Sequence, residues 1–189
     1  MVDEDVDYVL LLGADHRLPL GYIETILKEM ENNPNIVVAS GRIEGEPYLE
    51  NAPRGSGRIV NTRFWRDVNG LRYPVEWGWE SWLFFKAMQM NREARCFRDI
   101  VTEVSRQTSL SKALFLGKGM YALGYHWRYA LARILLTLWK SPRAGLLMFW
   151  GWIRHEGVRR LDVADWVAEM QGKTFWKRVW LFMKRGGRR

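Results

Sequence analysis

Two carboxylates are placed where they could do chemistry. Asp15 ends the stretch Val6-Asp-Tyr-Val-Leu-Leu-Leu-Gly13-Ala14-Asp15-His16-Arg17-Leu18-Pro19. The run from Tyr8 to Leu12 is continuously apolar and rich in strand formers, and it reads as a central strand buried on both faces. Open α/β sheets bind ligands outside the carboxyl ends of their strands. Asp15 is therefore placed to offer an oxygen to a metal or to the surroundings of a phosphate, with His16 beside it to touch the same ligand. An aspartate in this position can also do no more than cap a turn or a helix. The second carboxylate is Glu80, in Tyr73-Pro-Val-Glu76-Trp77-Gly-Trp79-Glu80-Ser-Trp82-Leu83. In the first turn of a helix its charge favours the helix dipole whether or not it has a chemical role. Trp77, Trp79 and Trp82 offer flat faces for stacking on a sugar or an apolar molecule, and serve a core equally well. Glu76 lies next to the same aromatic residues and rivals Glu80. In Arg54-Gly55-Ser56-Gly57-Arg58 the glycines let backbone N–H groups approach an anion, without the spacing of a known phosphate loop. The sequence has no Cys/His cluster for zinc, no serine nucleophile elbow and no dinucleotide fingerprint.

The elements that must hold these residues follow from periodicity and punctuation. Pro19 reads as the opening of a helix whose apolar face carries Ile23, Ile26, Leu27 and Met30, stopped by Asn32-Asn33-Pro34-Asn35. Ile36 to Ser40 reads as a second strand, continuing towards Ile43. Residues 44–62 read as a long loop with a short strand near Arg58 to Val60, and Phe64 to Val68 as a short helix ending at Asn69-Gly70. The Glu80 stretch leads into a helix reaching Met90, and Ala94 to Val104 is expected as a strand. Strands alternating with helices in this way imply an α/β sheet. From Ser111 onward apolar helical segments follow one another. Ser141-Pro142 starts one of them, Asp162 caps another that ends near Gly172, and the last runs from Thr174 to Arg185. That last segment carries Phe175, Trp176, Val179, Trp180 and Met183 on one face.

A chain of 189 residues with 48% hydrophobic residues has enough apolar mass for a real core, which excludes a disordered polypeptide. A formal net charge of +8 together with 11 Trp favours anionic partners: phosphorylated substrates, a membrane surface or nucleic acid. The single cysteine, Cys96, excludes an intrachain disulfide. The acidic Asp3-Glu4-Asp5 start is unlike a secretory signal, and no run reaches the roughly 18 apolar residues of a spanning helix. The expected location is cytoplasmic, peripheral to the cytoplasmic face of a membrane, with Trp, Lys and Arg of the C-terminal helices meeting the lipid headgroups.

Gly13-Ala14-Asp15 followed by Arg17-Leu18-Pro19 resembles the Asp-X-Asp signature of inverting family 2 glycosyltransferases of the GT-A fold. The resemblance implies that Asp15 holds Mg²⁺ or Mn²⁺ on the diphosphate of a nucleotide-sugar donor, with Gly13 standing where the family has its first aspartate. In the family a Glu-Asp pair opens a helix and supplies the base that takes the acceptor's proton. Trp79-Glu80-Ser81-Trp82-Leu83 keeps that register, which makes Glu80 the catalytic base, with Trp79 at the usual glutamate. By the same resemblance Arg106 steadies the diphosphate where the family often has a histidine, and Trp77 and Trp79 shape the acceptor site. The QxxRW motif of processive synthases is absent, which argues against a polymerising enzyme. Lys112 to Phe115 and Met120 to His126 are similar to the segment that follows the catalytic domain in many prokaryotic members.

The resemblance covers residues 5–140, the second half of a family 2 catalytic domain. It therefore implies a partial GT-A-like mixed sheet over residues 1–108 and a helical, amphipathic, membrane-associated extension over residues 109–189. The half expected to hold the nucleotide base does not precede Met1. The chain is thus expected to be a fragment, a truncated form or one partner of a split enzyme, with another chain supplying that half. The function implied is metal-assisted inverting transfer of a sugar from a nucleotide-sugar to a sugar or lipid-linked acceptor, with no nucleic acid involved. The alternatives are a non-catalytic partner or scaffold subunit of a glycosyltransferase, and a basic module that binds membrane or nucleic acid.

Overall fold

The most deeply buried strand of the molecule is Ile36–Ile43, labelled β3. Every residue from Ile36 to Gly41 is shielded from solvent, as a run of β-branched and small residues must be when both faces are covered. A computed structural model describes residues 6–104 and 110–186, except the side chains of 177–186. Around β3 stand β1 (Tyr8–Leu11), β2 (His16–Arg17), β4 (Arg58–Asn61) and β5 (Glu93–Val104), in the order β1-β4-β3-β5-β2. β3 runs parallel to β5 and antiparallel to β4, and β1 and β2 pair antiparallel with β4 and β5. A register shift between Gly41 and Arg42 bends the β3–β5 ladder and brings the end of β5 to His16 and Arg17. The sheet is mixed.

The stretch Tyr8 to Leu12 is therefore not the central strand. β1 lies at the sheet edge, hydrogen-bonded to β4, and each of its residues is half-buried. A short apolar run has the same composition whether it is covered on one face or two, so periodicity does not separate the cases. Burial on both faces falls to β3 instead. Helix α1 also differs from expectation, spanning Tyr22–Asn32. Pro19 remains in the preceding turn, where Tyr22 N–H donates to its carbonyl at 3.2 Å. Gly21, at φ +74°, makes the entry to the helix, a backbone conformation that costs glycine nothing.

α1 covers one face with Tyr22, Ile26 and Met30, packed on Ile36 and Ala39 of β3 and Ile59 of β4. α2 (Thr62–Asn69) packs on β4, its N-terminus capped by Asn61 Oδ1 accepting from Phe64 N–H at 2.9 Å. α3 (Trp79–Gln89) buries Trp82, Leu83, Phe84 and Phe85 and packs on β3 and β5. These elements form one compact unit, residues 1–75 and 79–107.

The second unit comprises residues 76–78 and 108–189. It contains α4 (Ser111–Ala122), α5 (Trp127–Lys140), α6 (Pro142–Ile153) and α7 (Ala164–Gly186). Met120, Ala130, Ile134 and Met148 form its centre. Gly117 and Gly151 let α4 and α6 touch backbone to backbone. A Cβ on Gly117 would lie 2.1 Å from the Met148 carbonyl, and one on Gly151 would lie 2.1 Å from the Leu114 carbonyl. α7 is one helix where two are expected from the sequence. Gly172 continues it, because an interior glycine costs only about 1 kcal/mol. The His126 ring packs where a side chain there would point, its Cδ2 3.3 Å from a Cβ placed on Gly172. The apolar face of the last segment beyond Trp176 lies outside the described residues. Among the described residues no helix is long and apolar enough to cross a membrane.

Candidate functional site

The site grows from the turn that leaves β1. His16 N–H donates to the Gly13 carbonyl at 3.1 Å, closing a tight turn with Asp15 inside it. Gly13 N–H donates to Ser56 Oγ at 2.7 Å. A Cβ at Gly13 would stand 2.9 Å from Ser56 Oγ and 3.1 Å from Asp15 Oδ1. The volume that a side chain at position 13 needs is thus occupied by the Ser56 hydroxyl, and Asp15 and Ser56 converge on the Gly13 backbone.

Ser56 belongs to the loop Arg54–Gly57, which is anchored at several points. Arg54 N–H donates to Ser40 Oγ at 2.7 Å, and Gly57 N–H to the Leu11 carbonyl at 2.8 Å. The Tyr22 hydroxyl accepts from Gly41 N–H at 2.8 Å and donates to the Gly57 carbonyl. Burial pushes the Tyr22 phenol up to about 12, so it remains a donor throughout the physiological range. Gly55 lies against Glu80. A Cβ at position 55 would be 2.7 Å from the Glu80 carboxyl carbon, so only glycine leaves that carboxylate where it is. Glu80 thus lies at Gly55, while Asp15 lies at Gly13, the residue that the neighbouring Ser56 holds. Glu80 is in the first turn of α3, and its side chain is exposed to solvent rather than enclosed in a dry pocket.

Arg58 holds these parts together, and nothing in its sequence context marks it for that role. Its side chain is 1% exposed. Its Nε donates to the Arg54 carbonyl at 2.9 Å, one terminal nitrogen to the Glu80 carbonyl at 2.7 Å, and the other to the Pro53 carbonyl at 2.7 Å. Tyr73 Oη lies 3.4 Å from the nitrogen that serves Glu80. One guanidinium fork thus ties the 53–54 loop to the start of α3, using the planar donor array that lysine lacks. Arg58 is turned inward, and Arg54 forms an ion pair with Glu46. Of the backbone N–H groups that the Arg-Gly-Ser-Gly-Arg pattern could offer an anion, those of Arg54 and Gly57 are engaged by Ser40 Oγ and the Leu11 carbonyl. Tyr73 is raised above the ordinary phenol range by burial, an effect that the Arg58 charge opposes and the Glu80 charge reinforces. Its ring meets Trp79 edge-on at 4.7 Å and Trp65 at 4.9 Å.

Trp79 is accordingly part of an aromatic cluster beside Glu80, while Trp82 is buried beneath α3. Trp77 belongs to the helical unit and stacks on Phe115 of α4 with ring centroids 4.0 Å apart; Glu76 belongs to the same unit. Arg106 lies outside the described residues. Among the described residues no three His, Cys, Asp or Glu side chains are grouped to hold a metal.

His16 is 8% exposed, and neither ring nitrogen has a hydrogen-bond partner among the described residues. Burial lowers its pKa from the ordinary 6.5, against the pull of the Asp15 charge. The unfolded chain therefore binds this proton more readily than the folded one. The contribution of neutral His16 to stability is complete above about pH 6.5 and is lost as pH falls through the lowered folded value. We expect His16→Leu to flatten that part of a stability–pH profile measured by urea unfolding. It is also expected to raise stability at pH 7 by about 1 kcal/mol, because two unsatisfied nitrogens are removed. An unchanged acid limb would mean that the titration belongs to another group.

Comparison with protein-family models matches none of them to this chain, and comparison with curated proteins finds none significantly similar in sequence.

Proposed function

We propose that the chain carries the acceptor and diphosphate side of a GT-A-like, inverting glycosyltransferase that works with a nucleotide-sugar donor and a sugar or lipid-linked acceptor. One observation supports this reading: a strand-end carboxylate, Asp15, lies against Gly13, whose N–H is held by Ser56, and a helix-opening carboxylate, Glu80, lies against the adjacent Gly55. In the reaction the acceptor oxygen bonds to the anomeric carbon and the bond from that carbon to the diphosphate breaks. Glu80 receives the acceptor's proton; its exposed position in the first turn of α3 leaves it open to an incoming hydroxyl. Trp79, held by Tyr73, flanks the acceptor.

The donor set at Asp15 suits a cation bound jointly by protein and substrate. Mg²⁺ is commonly held by one or two carboxylates together with phosphate oxygens and water. Asp15 would hold Mg²⁺ or Mn²⁺, which when bound neutralises charge on the departing diphosphate. Ser56 keeps the turn around Asp15 in place through Gly13. Arg106 is proposed as a further contact to the diphosphate. The proposed location is the cytoplasmic face of a membrane.

Titration calorimetry with UDP- and GDP-sugars in Mn²⁺ tests the donor site. Binding that requires the metal is expected, and Asp15→Asn is expected to weaken it about tenfold or more, since losing a charged partner costs about 1.5–3 kcal/mol. Equal, metal-independent binding by both proteins would remove Asp15 from the site. A second reading, a non-catalytic partner subunit, is favoured by Gly13, where the Ser56 hydroxyl takes the space of the family's first aspartate.

A further inference from the structure

We propose that α5 and α6 form a hairpin that seats on an anionic lipid bilayer, with their outward apolar faces among the headgroups and the outer acyl carbons. α5 turns Ala130 and Ile134 into the helical core and leaves Leu135, Leu136 and Trp139 outside. α6 turns Met148 inward and leaves Leu146, Trp150 and Ile153 outside. The exposures are large: 91% for Trp139, 63% for Leu135 and 61% for Leu146. Single exposed apolar side chains are ordinary on a protein surface. Two packed neighbouring helices, each with a stripe of them at helical spacing, are not.

Charge identifies the occupant. Every charged residue from 108 to 155 is Lys or Arg, without one Asp or Glu. Lys140 and Arg143 bracket the α5–α6 turn next to Trp139. The Arg154 guanidinium lies 4.6 Å from the Trp150 ring centroid, and that of Arg128 lies 5.1 Å from the Trp127 ring. Indole beside cation at the border of an apolar face is the chemistry of the headgroup layer, where the rings sit between tails and water and the cations meet lipid phosphate. A second copy of the chain would bring the same cations against one another. A nucleic acid would engage the cations and leave the Leu and Ile faces wet. Helices of 14 and 12 residues extend about 21 and 18 Å, short of the roughly 30 Å hydrocarbon core. They therefore lie in the interface and do not cross it. The proposal stands whether or not the chain transfers sugar.

The test is flotation of the full chain with phosphatidylcholine vesicles, with and without phosphatidylglycerol. Binding about tenfold or more tighter to the anionic vesicles is expected, together with a loss of about tenfold or more in the triple variant Leu135→Ser, Trp139→Ser, Leu146→Ser. A second measurement leaves most of the apolar face in place. Cys96 is buried, so Leu136→Cys can be labelled selectively with an environment-sensitive fluorophore, whose emission is expected to shift to the blue on anionic vesicles alone. Vesicle binding by the triple variant equal to that of the parent would overturn the proposal, as would an unshifted label on bound vesicles. A label shift that follows protein concentration without lipid would give the face to a second copy and overturn it too.

Discussion

Replacing Arg58 with alanine is expected to destabilise the sheet unit by about 4 kcal/mol, a large share of the stability of an ordinary domain. The guanidinium is fully buried, and its partners are the carbonyls of Pro53, Arg54 and Glu80 and the Tyr73 hydroxyl. Alanine would leave three carbonyls without their donors, that of Pro53 buried and those of Arg54 and Glu80 part-buried, each costing up to about 1–3 kcal/mol where no water replaces the lost bond. It would also leave the volume of a long side chain empty. Arg58→Lys keeps the charge but gathers its donors on one nitrogen and lacks the spread fork that reaches carbonyls on two separate segments; about 2 kcal/mol is expected. Urea unfolding measures both. Hydrogen exchange should locate the damage, with faster exchange at 53–57 and in the first turn of α3. A cost under about 1 kcal/mol for the alanine variant would mean that the network is replaceable by water.

The second large effect concerns chemistry rather than stability. In a preparation competent for sugar transfer, Glu80→Gln is expected to lower turnover by about 10²- to 10⁴-fold, the usual contribution of a positioned general base. Donor binding should be unaltered. The fold should survive, because Glu80 contributes to the Arg58 network through its backbone carbonyl while its carboxylate is exposed. The expected stability change is about 0.5 kcal/mol, reflecting a lost favourable charge at a helix N-terminus. Loss of turnover with the fold intact separates base from scaffold. Full turnover in Glu80→Gln would leave the non-catalytic partner as the better reading.

Segments with local signals are legible in the sequence. β3 and β5 lie at their expected positions, as do the strand near Arg58, the short helix after Asn61 and the helix that carries Glu80. Their boundaries rest on apolar runs, on spacing and on nearby Asn, Pro and Gly, all of which act over a few residues. Two local signals mislead. Pro19 has the right chemistry for a helix start, but Gly21 makes the entry. Gly172 resembles a stop, yet it is retained within α7 against the His126 ring.

The candidate site divides in the same way. Asp15 and Glu80 are recognisable as a carboxylate beyond a strand and a carboxylate opening a helix. That the 55–56 loop adjoins both the Gly13 turn and Glu80 is not recognisable, because it depends on partners such as Gly13 and Ser56, 43 residues apart. Arg58 is hidden for a related reason: in the sequence it is one basic residue beside glycines. Its inward direction depends on three carbonyls, one of them 22 residues away.

By itself, then, the sequence determined an α/β chain with basic, tryptophan-rich helices after the sheet, since composition and period act within each segment. Tertiary structure alone decided that β1 is an edge strand, that β3 takes the centre, that Arg58 links the loop to α3, and which helix faces remain exposed. Those outcomes are set by competition among distant segments for the same buried surface and the same hydrogen-bond partners, and no local pattern encodes the result of that competition.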